Sequence, residues 1–355
     1  MRKILGSLAG SIFAAGALAA AATDASLLVR AGGGAPQGPS GYHLKKKIKV
    51  GGEGGWDYIT FDSDARRLFI SRGTRVMVVD VDADKVVGEV PDTPGVHGIA
   101  LAPSLARGFV SNGRGNNLTV FELKGLTSLG TIPAGQNPDA IVYDSPVKRV
   151  FAMNGRSGDV TVIDAATTKL AGTVPVGGKL ESGAADSRGW VYVNVEDKSE
   201  IAAINLELQV AARWPLAPCE QPTGLAIDTE HHRLFAGCGN RMMAVVNTDN
   251  GKVVATPAIC DGVDANAFDP GTGYAFASCG DGTLTVVHED SPEKFSVVEN
   301  VPTRPRARTM ALDPKTHDVY LVTADFGPAP PPTQDAPHPR PPMLPDSFVV
   351  LVFAR

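Results

Sequence analysis

Charge is scarce in this sequence. Asp, Glu, Lys and Arg make up 20% of 355 residues, and 33 basic against 38 acidic side chains leave a formal charge of −5. A weakly acidic chain has little to offer a phosphate backbone, so nucleic acid is not an expected partner. Familiar catalytic signatures are missing too. There is no G-x-S-x-G, H-E-x-x-H, C-x-x-C-H or EF-hand loop, and no glycine fingerprint sits between a strand and a helix. The four cysteines lack the C-x₂₋₄-C spacing usual at zinc. Beyond the first two dozen residues no segment has 18 consecutive apolar residues, so no later spanning helix is expected.

What is present excludes disorder. Hydrophobic residues reach 43%, enough to build a large core. At ~150 residues per domain the length suggests two domains, although a single all-β domain often exceeds that size. The first residues read as a targeting segment. Arg2 and Lys3 precede an apolar run over 4–18, followed by Ala19, Ala20, Ala21 and Ala22. A basic start, an apolar stretch and small residues at a cleavage site make a secretory signal peptide over 1–22. The run is short and rich in Ala and Gly for a retained anchor. Loss of Arg2 and Lys3 moves the charge from −5 to −7. A flexible leader is expected over 23–43, and a periplasmic or secreted, soluble, monomeric protein after cleavage.

From there the chain repeats itself. GIALAPSLARGFVSNGRGNNLTVFEL starts at Gly98, and AIVYDSPVKRVFAMNGRSGDVTVIDA starts at Ala140. Related units start at Tyr58, Gly183, Gly224, Ala265 and Thr309. An Asp ends the first strand in six copies, at Asp62, Asp144, Asp186, Asp228, Asp269 and Asp313, and Ala102 takes that place in the other. The marks recur every 40–44 residues, the period of a four-stranded propeller blade. The Asp reads as a turn former, its carboxylate capping backbone N–H groups.

Each copy holds four short apolar runs separated by turn residues. In the third copy they are 140–143, 149–153, 159–163 and 169–174. The seventh copy supplies 309–312, 318–322 and 348–353 and lacks a fourth. The leading segment 44–50 resembles a fourth strand without its first three. Pairing the two closes a ring and removes an exposed edge, which a linear solenoid would leave open. The expected fold is all-β: one seven-bladed β-propeller of four-stranded blades over 44–355, closed by the N-terminal strand in the last blade.

The segments VTVIDAATTKLAGTVPVG (160–177) and MMAVVNTDNGKVVATP (242–257) resemble the YVTN family of β-propeller repeats, and the chain is similar to an exported YncE-like member from about Lys45 to Arg355. The resemblance implies the propeller fold. Propellers similar to these include cell-surface proteins, lactonases, lyases and subunits of quinone-dependent amine dehydrogenases. No catalytic motif of those enzymes is matched residue by residue.

The cysteines form two matching pairs. Cys219 and Cys238 are 19 apart, as are Cys260 and Cys279, one repeat later. Each pair sets the start of a first strand against the end of its antiparallel neighbour. Disulfides within a blade are therefore natural, and export permits them. Reduced thiols and a Cys₄ metal site are the alternatives.

Counting five residues back from each turn mark gives Asp57, His97, Asp139, Glu181, Thr223, Asp264 and Arg308. In a propeller these positions converge on the channel mouth. The second strands end on the same face with Arg72, Asn112 and Asn154, and Arg114, Arg156, Asn240 and Asp281 follow in the loops. Three readings are open. The polar groups solvate a water-filled mouth; they bind a small ligand or ion; or they form an enzyme site such as a metal-dependent lactonase, esterase or lyase. Four carboxylates at close quarters repel unless a cation, protons or Arg308 relieve them. An oxygen-rich ring suits Ca²⁺ or Mg²⁺, and His97 with Asp57, Asp139, Glu181 and Asp264 extends the choice to transition metals. His97 is also the candidate catalytic base, oriented by Asp57 or Asp139. Arg308 is the natural seat for an anionic ligand.

The seventh copy carries a proline-rich insertion over 326–345, GPAPPPTQDAPHPRPPMLP in its body. Polyproline II suits it better than a packed element. It is either a flexible loop or a lid over the mouth and a dock for a periplasmic protein, which would make the chain a scaffold. His338 and Met343 on it are weak candidates for a soft metal. Trp56 adjoins the mouth, with packing between blades as its simplest role. Trp190 and Trp214 read as blade core. His231, His232, His288 and His317 read as turn or surface residues.

Overall fold

The computed structural model describes residues 38–333 and 339–355. The signal peptide, most of the leader and His338 lie outside the described residues.

Alternating and doubly buried apolar runs fold into seven sheets of four antiparallel strands. In the third blade the strands are Pro138–Asp144, Arg149–Asn154, Asp159–Asp164 and Lys169–Pro175, close to the four sequence runs. Strands two and three of each blade are buried on both faces, and the outermost strand is mostly exposed, with a single buried residue near its end in the third blade. Short 3₁₀ turns at Pro103–Leu105 and Glu196–Lys198 are the only helical pieces among the described residues. The core consists of seven apolar layers, each between two neighbouring blades. Between blades two and three, for example, Phe109, Leu118 and Val120 face Ile141, Val150 and Ile163.

The repeated Asp caps its turn in five of the six copies that carry it, Asp144 being the exception. Asp62 Oδ1 accepts from the Ala65 N–H at 3.0 Å, Asp186 Oδ1 from Trp190 at 3.0 Å and Asp269 Oδ1 from Gly271 at 3.0 Å.

The ring closes as the missing strand requires. His43–Lys49 pairs antiparallel with Val349–Ala354, the third strand of the last blade, with Lys47 opposite Leu351. Ile48 is buried in the layer between the last and first blades. Packing begins earlier than the expected flexible leader allows. Ser40 is buried and its N–H donates to Glu299 at 3.0 Å. Tyr42 is buried too, with its ring 5.2 Å from Phe276 and its hydroxyl donating to the His317 carbonyl at 2.9 Å.

Two disulfides staple neighbouring blades internally: Cys219–Cys238 and Cys260–Cys279, each with Cα atoms 5.8 Å apart. No thiol is left free among the described residues. The Cys₄ and reduced alternatives are therefore set aside.

Candidate functional site at the channel mouth

The innermost strands deliver the polar ring through a shared irregularity. In the third blade the pairing jumps from Pro138–Asn154 to Ile141–Ala152, leaving Asp139 and Ala140 against one partner residue. The same shift occurs at Val96/Ile99, Leu180/Gly183 and Pro222/Leu225, with a related one at Val263/Ala265. Such bulges re-aim a side chain out of the sheet's alternation. His97, Asp139, Glu181, Thr223 and Asp264 all lie inside them.

The ring breaks into local groups. Nδ1 of His97 lies 2.6 Å from Asp57 Oδ2 and 3.8 Å from Asp139 Oδ1. One ligand atom from each of the three can lie within 4.8 Å of the others. The other ring nitrogen of His97 rests against Gly113, where an added Cβ would come within 2.6 Å of Nε2. Glu181 is drawn away by Lys179, whose Nζ is 2.8 Å off and which also pairs with Glu196. Asp264 lies 3.4 Å from Nε of Arg308. Thr223 spends its hydroxyl on the Val263 carbonyl at 3.0 Å.

The electrostatics are those of crowded acids in a half-buried bowl. Burial raises Asp139 to about 6; His97 opposes the rise, and Asp57 and Asp264 add to it. Burial likewise lifts Asp264 to about 6 against the pull of Arg308. Glu181 rises to about 7 by burial and the charge of Asp139, despite Lys179. For His97, burial disfavours the cation, but the Asp57 hydrogen bond and the charges of Asp139 and Asp57 outweigh it and its pKa is raised.

Tyr58 belongs to this site and was not singled out from the sequence. It follows Asp57, packs against the layer between blades three and four, and shares a hydrogen bond with Ser182. It thus reaches from the first blade to the fourth beneath the ring. Burial and the charges of Asp139, Asp57 and Glu181 hold its hydroxyl well above the usual phenol range. The signal was available. The corresponding residues in the other copies are Gly98, Ala140, Ser182, Gly224, Ala265 and Thr309, all small.

Arg72, Asn112 and Asn154 were expected beside the ring, and the structure gives them other work. All three are fully buried. Arg72 lies 3.8 Å over the Phe348 ring and donates to the Gly52 carbonyl at 2.8 Å, and burial with nearby Arg75 lowers its pKa to about 10. Asn112 donates to Asn117 and Thr119, each at 2.7 Å, and Asn154 to Asp159 at 2.6 Å. Their amides hold the third strands in place and are not presented to solvent. Trp56 packs between blades, its ring 5.1 Å from Phe348. Trp214 packs against a blade core layer, its ring 5.4 Å from Tyr192, whereas Trp190, expected there too, is 37% exposed; both line an outer cavity of about 530 Å³.

The insertion has an ordered root. Phe326 and Met343 form a bridge, Gly327 N–H donates to the Pro342 carbonyl at 2.9 Å, and Leu344 N–H to the Asp325 carbonyl at 2.8 Å. Phe326 and Met343 pack on the layer between the last and first blades. Beside the ring this arm walls a cavity of about 600 Å³, which also receives Trp56 and Arg308.

Fold and site together define a seven-bladed β-propeller with an acidic, histidine-bearing mouth. No protein-family model matches the sequence, and no curated protein matches it. Solved structures do. Hydrazine synthase from Kuenenia stuttgartiensis is 17% identical over 75% of this chain and 92% of its own, with a TM-score of 0.66. U3-55K is 9% identical over 87% and 98%, with a TM-score of 0.72. The WD40 repeats of RRP9 are 9% identical over 88% and 97%, with a TM-score of 0.73. At such identities the likeness concerns the fold alone.

Proposed function

We propose that this chain is an exported propeller of the YVTN, YncE-like kind that holds a divalent cation at its channel mouth through Asp57, His97 and Asp139. The observation that carries the reading is the placement of one His97 nitrogen at 2.6 and 3.8 Å from two carboxylates of neighbouring blades. A cation replaces the proton there and relieves Asp139, whose pKa burial has raised. One imidazole with two carboxylates favours Mn²⁺ or Zn²⁺ over Ca²⁺, which prefers oxygen alone. Glu181 and Asp264 already have Lys179 and Arg308, so they shape the field and do not coordinate. The two disulfides support export.

Hydrolysis by the same residues is the weaker reading. In an oriented His–Asp base the second ring nitrogen faces the substrate, and here that edge packs on Gly113. Metal analysis after chelation and reloading tests the proposal. Wild-type protein should take up a single Zn²⁺ or Mn²⁺, and His97→Ala and Asp139→Asn should lose it. A wild-type protein that retains neither ion sinks the reading, and metal-dependent turnover of lactones or esters would restore the hydrolase.

A further inference from the structure

Beside the acidic ring lies a surface of opposite character. The 600 Å³ cavity under the proline-rich arm is lined by Arg306, Arg308 and Arg340 together with Trp56, Phe326 and Met343. Its volume is that of a small-molecule site. Three guanidinium groups converging in a chain of net charge −5 are unusual, and their pairing is uneven. Arg308 has Asp264. Neither Arg306 nor Arg340 has a carboxylate partner among the described residues.

Arg306 is the most informative of the three. Its guanidinium carbon sits 4.0 Å from the centre of the Phe326 ring. Stacking fixes the plane of the group and leaves its N–H edge free for an oxyanion. Its backbone adopts φ +64°, the left-handed turn that Gly95, Asn137, Gln221 and Gly262 take at the same place in their copies. A hydrogen bond from its N–H to the Gly280 carbonyl, 2.9 Å, holds it there. Arg340 arrives from the arm, three residues before Met343 in the bridged root. The arm therefore brings both a roof and a third positive charge.

We propose that this cavity binds a small organic carboxylate with an aromatic body. The carboxylate is held by Arg306 and Arg340, and the ring lies against Trp56 and Phe326. The inference uses residues outside the cation cluster and does not depend on a metal.

Isophthalate is a suitable probe, with the neutral isophthalamide as its uncharged counterpart, followed by calorimetry and tryptophan fluorescence at low salt. The expected result is binding of isophthalate at least about tenfold tighter than the amide, since charge-assisted bonds are the stronger kind. Arg306→Gln and Arg340→Gln should each weaken it about tenfold or more. Arg340 sits on the exposed arm, so its replacement leaves the blades intact, and an unchanged melting temperature verifies that. Protein stripped with EDTA should bind isophthalate as well as untreated protein. Equal affinity for the amide, no binding of isophthalate, or unaltered binding in Arg340→Gln overturns the proposal. Loss of binding on chelation alone overturns it too, by placing the anion on a metal.

Discussion

Nδ1 of His97 lies 2.6 Å from Oδ2 of Asp57, tying the innermost strand of the second blade to the segment that leads into the first at the mouth. The opposite edge of the imidazole is set by Gly113, which admits no side chain without moving the ring. Gly113→Ala should therefore tilt His97 away from Asp57 and Asp139. The expected outcome is at least about tenfold weaker uptake of Zn²⁺, with a stability loss of about 1–3 kcal/mol from overpacking. Calorimetric metal titration beside a urea melt separates the two effects; unchanged metal affinity would contradict the geometry.

Stability should fall as pH rises. Asp139 and Asp264 titrate at about 6 and Glu181 at about 7 in the folded protein, above their ordinary values of 3.8 and 4.5. Between about pH 4 and pH 7 the folded state holds protons that the unfolded chain has lost, so this stability is present at the acid end and is lost on the way up. His97 acts in the same sense, since its pKa is also raised. Asp290, held down to about 2 by His288 and Lys294, titrates below this window. Metal-free protein should melt about 3 °C lower at pH 8 than at pH 5, equivalent to roughly 2 kcal/mol. Added Zn²⁺ should offset the fall. Scanning calorimetry in EDTA at both pH values checks the sign.

Tyr58 spans from the first blade to the fourth and should matter more for its bulk than for its hydroxyl. Tyr58→Ala should cost about 3 kcal/mol, and Tyr58→Phe only about 1 kcal/mol. Denaturant melts of the two variants measure the difference, and a mild Tyr58→Ala would contradict a role for that bulk.

Each disulfide closes a loop of similar length and should contribute about 3 kcal/mol by the chain-entropy argument. Cys219→Ser with Cys238→Ser, and the equivalent pair at Cys260 and Cys279, should each lower the melting temperature by several degrees. Peptide mapping without reductant should recover the two bonds within blades. A Cys238–Cys260 link would refute the arrangement.

The architecture was legible because a propeller writes its period into the chain. The turn mark, an Asp in six of the seven copies, counts the blades, and the lone strand-like segment 44–50 announces how the ring closes. The ring positions were legible for a related reason: a core position would read Val or Ile, and Asp57, His97 and Asp139 do not. Their grouping was not. Lys179 is adjacent to the ring in sequence but outside the repeat register, so nothing marked it as the partner of Glu181. Arg72, Asn112 and Asn154 looked like lining because they are polar at strand ends. A buried amide bonded to the next strand has the same letter as an exposed one. Tyr58 is marked by size and not by charge: it is the one large residue at a position that is small in every other copy. The paired root of the arm depends on Phe326 and Met343 meeting across many intervening residues, and periodicity carries no information about that.

The closing strand has a consequence of another kind. Gly41, just before His43–Lys49, stands against Arg355, so the two ends of the propeller emerge side by side. In space the chain is a circle, and the point at which it is opened is arbitrary with respect to the blades. A short linker from Arg355 to Gly41 would complete that circle without crossing a blade, and new ends cut at an exposed turn on the outer rim would leave every interblade layer intact. The order in which the blades are written is then a property of the gene, and the ring itself has neither a first blade nor a last.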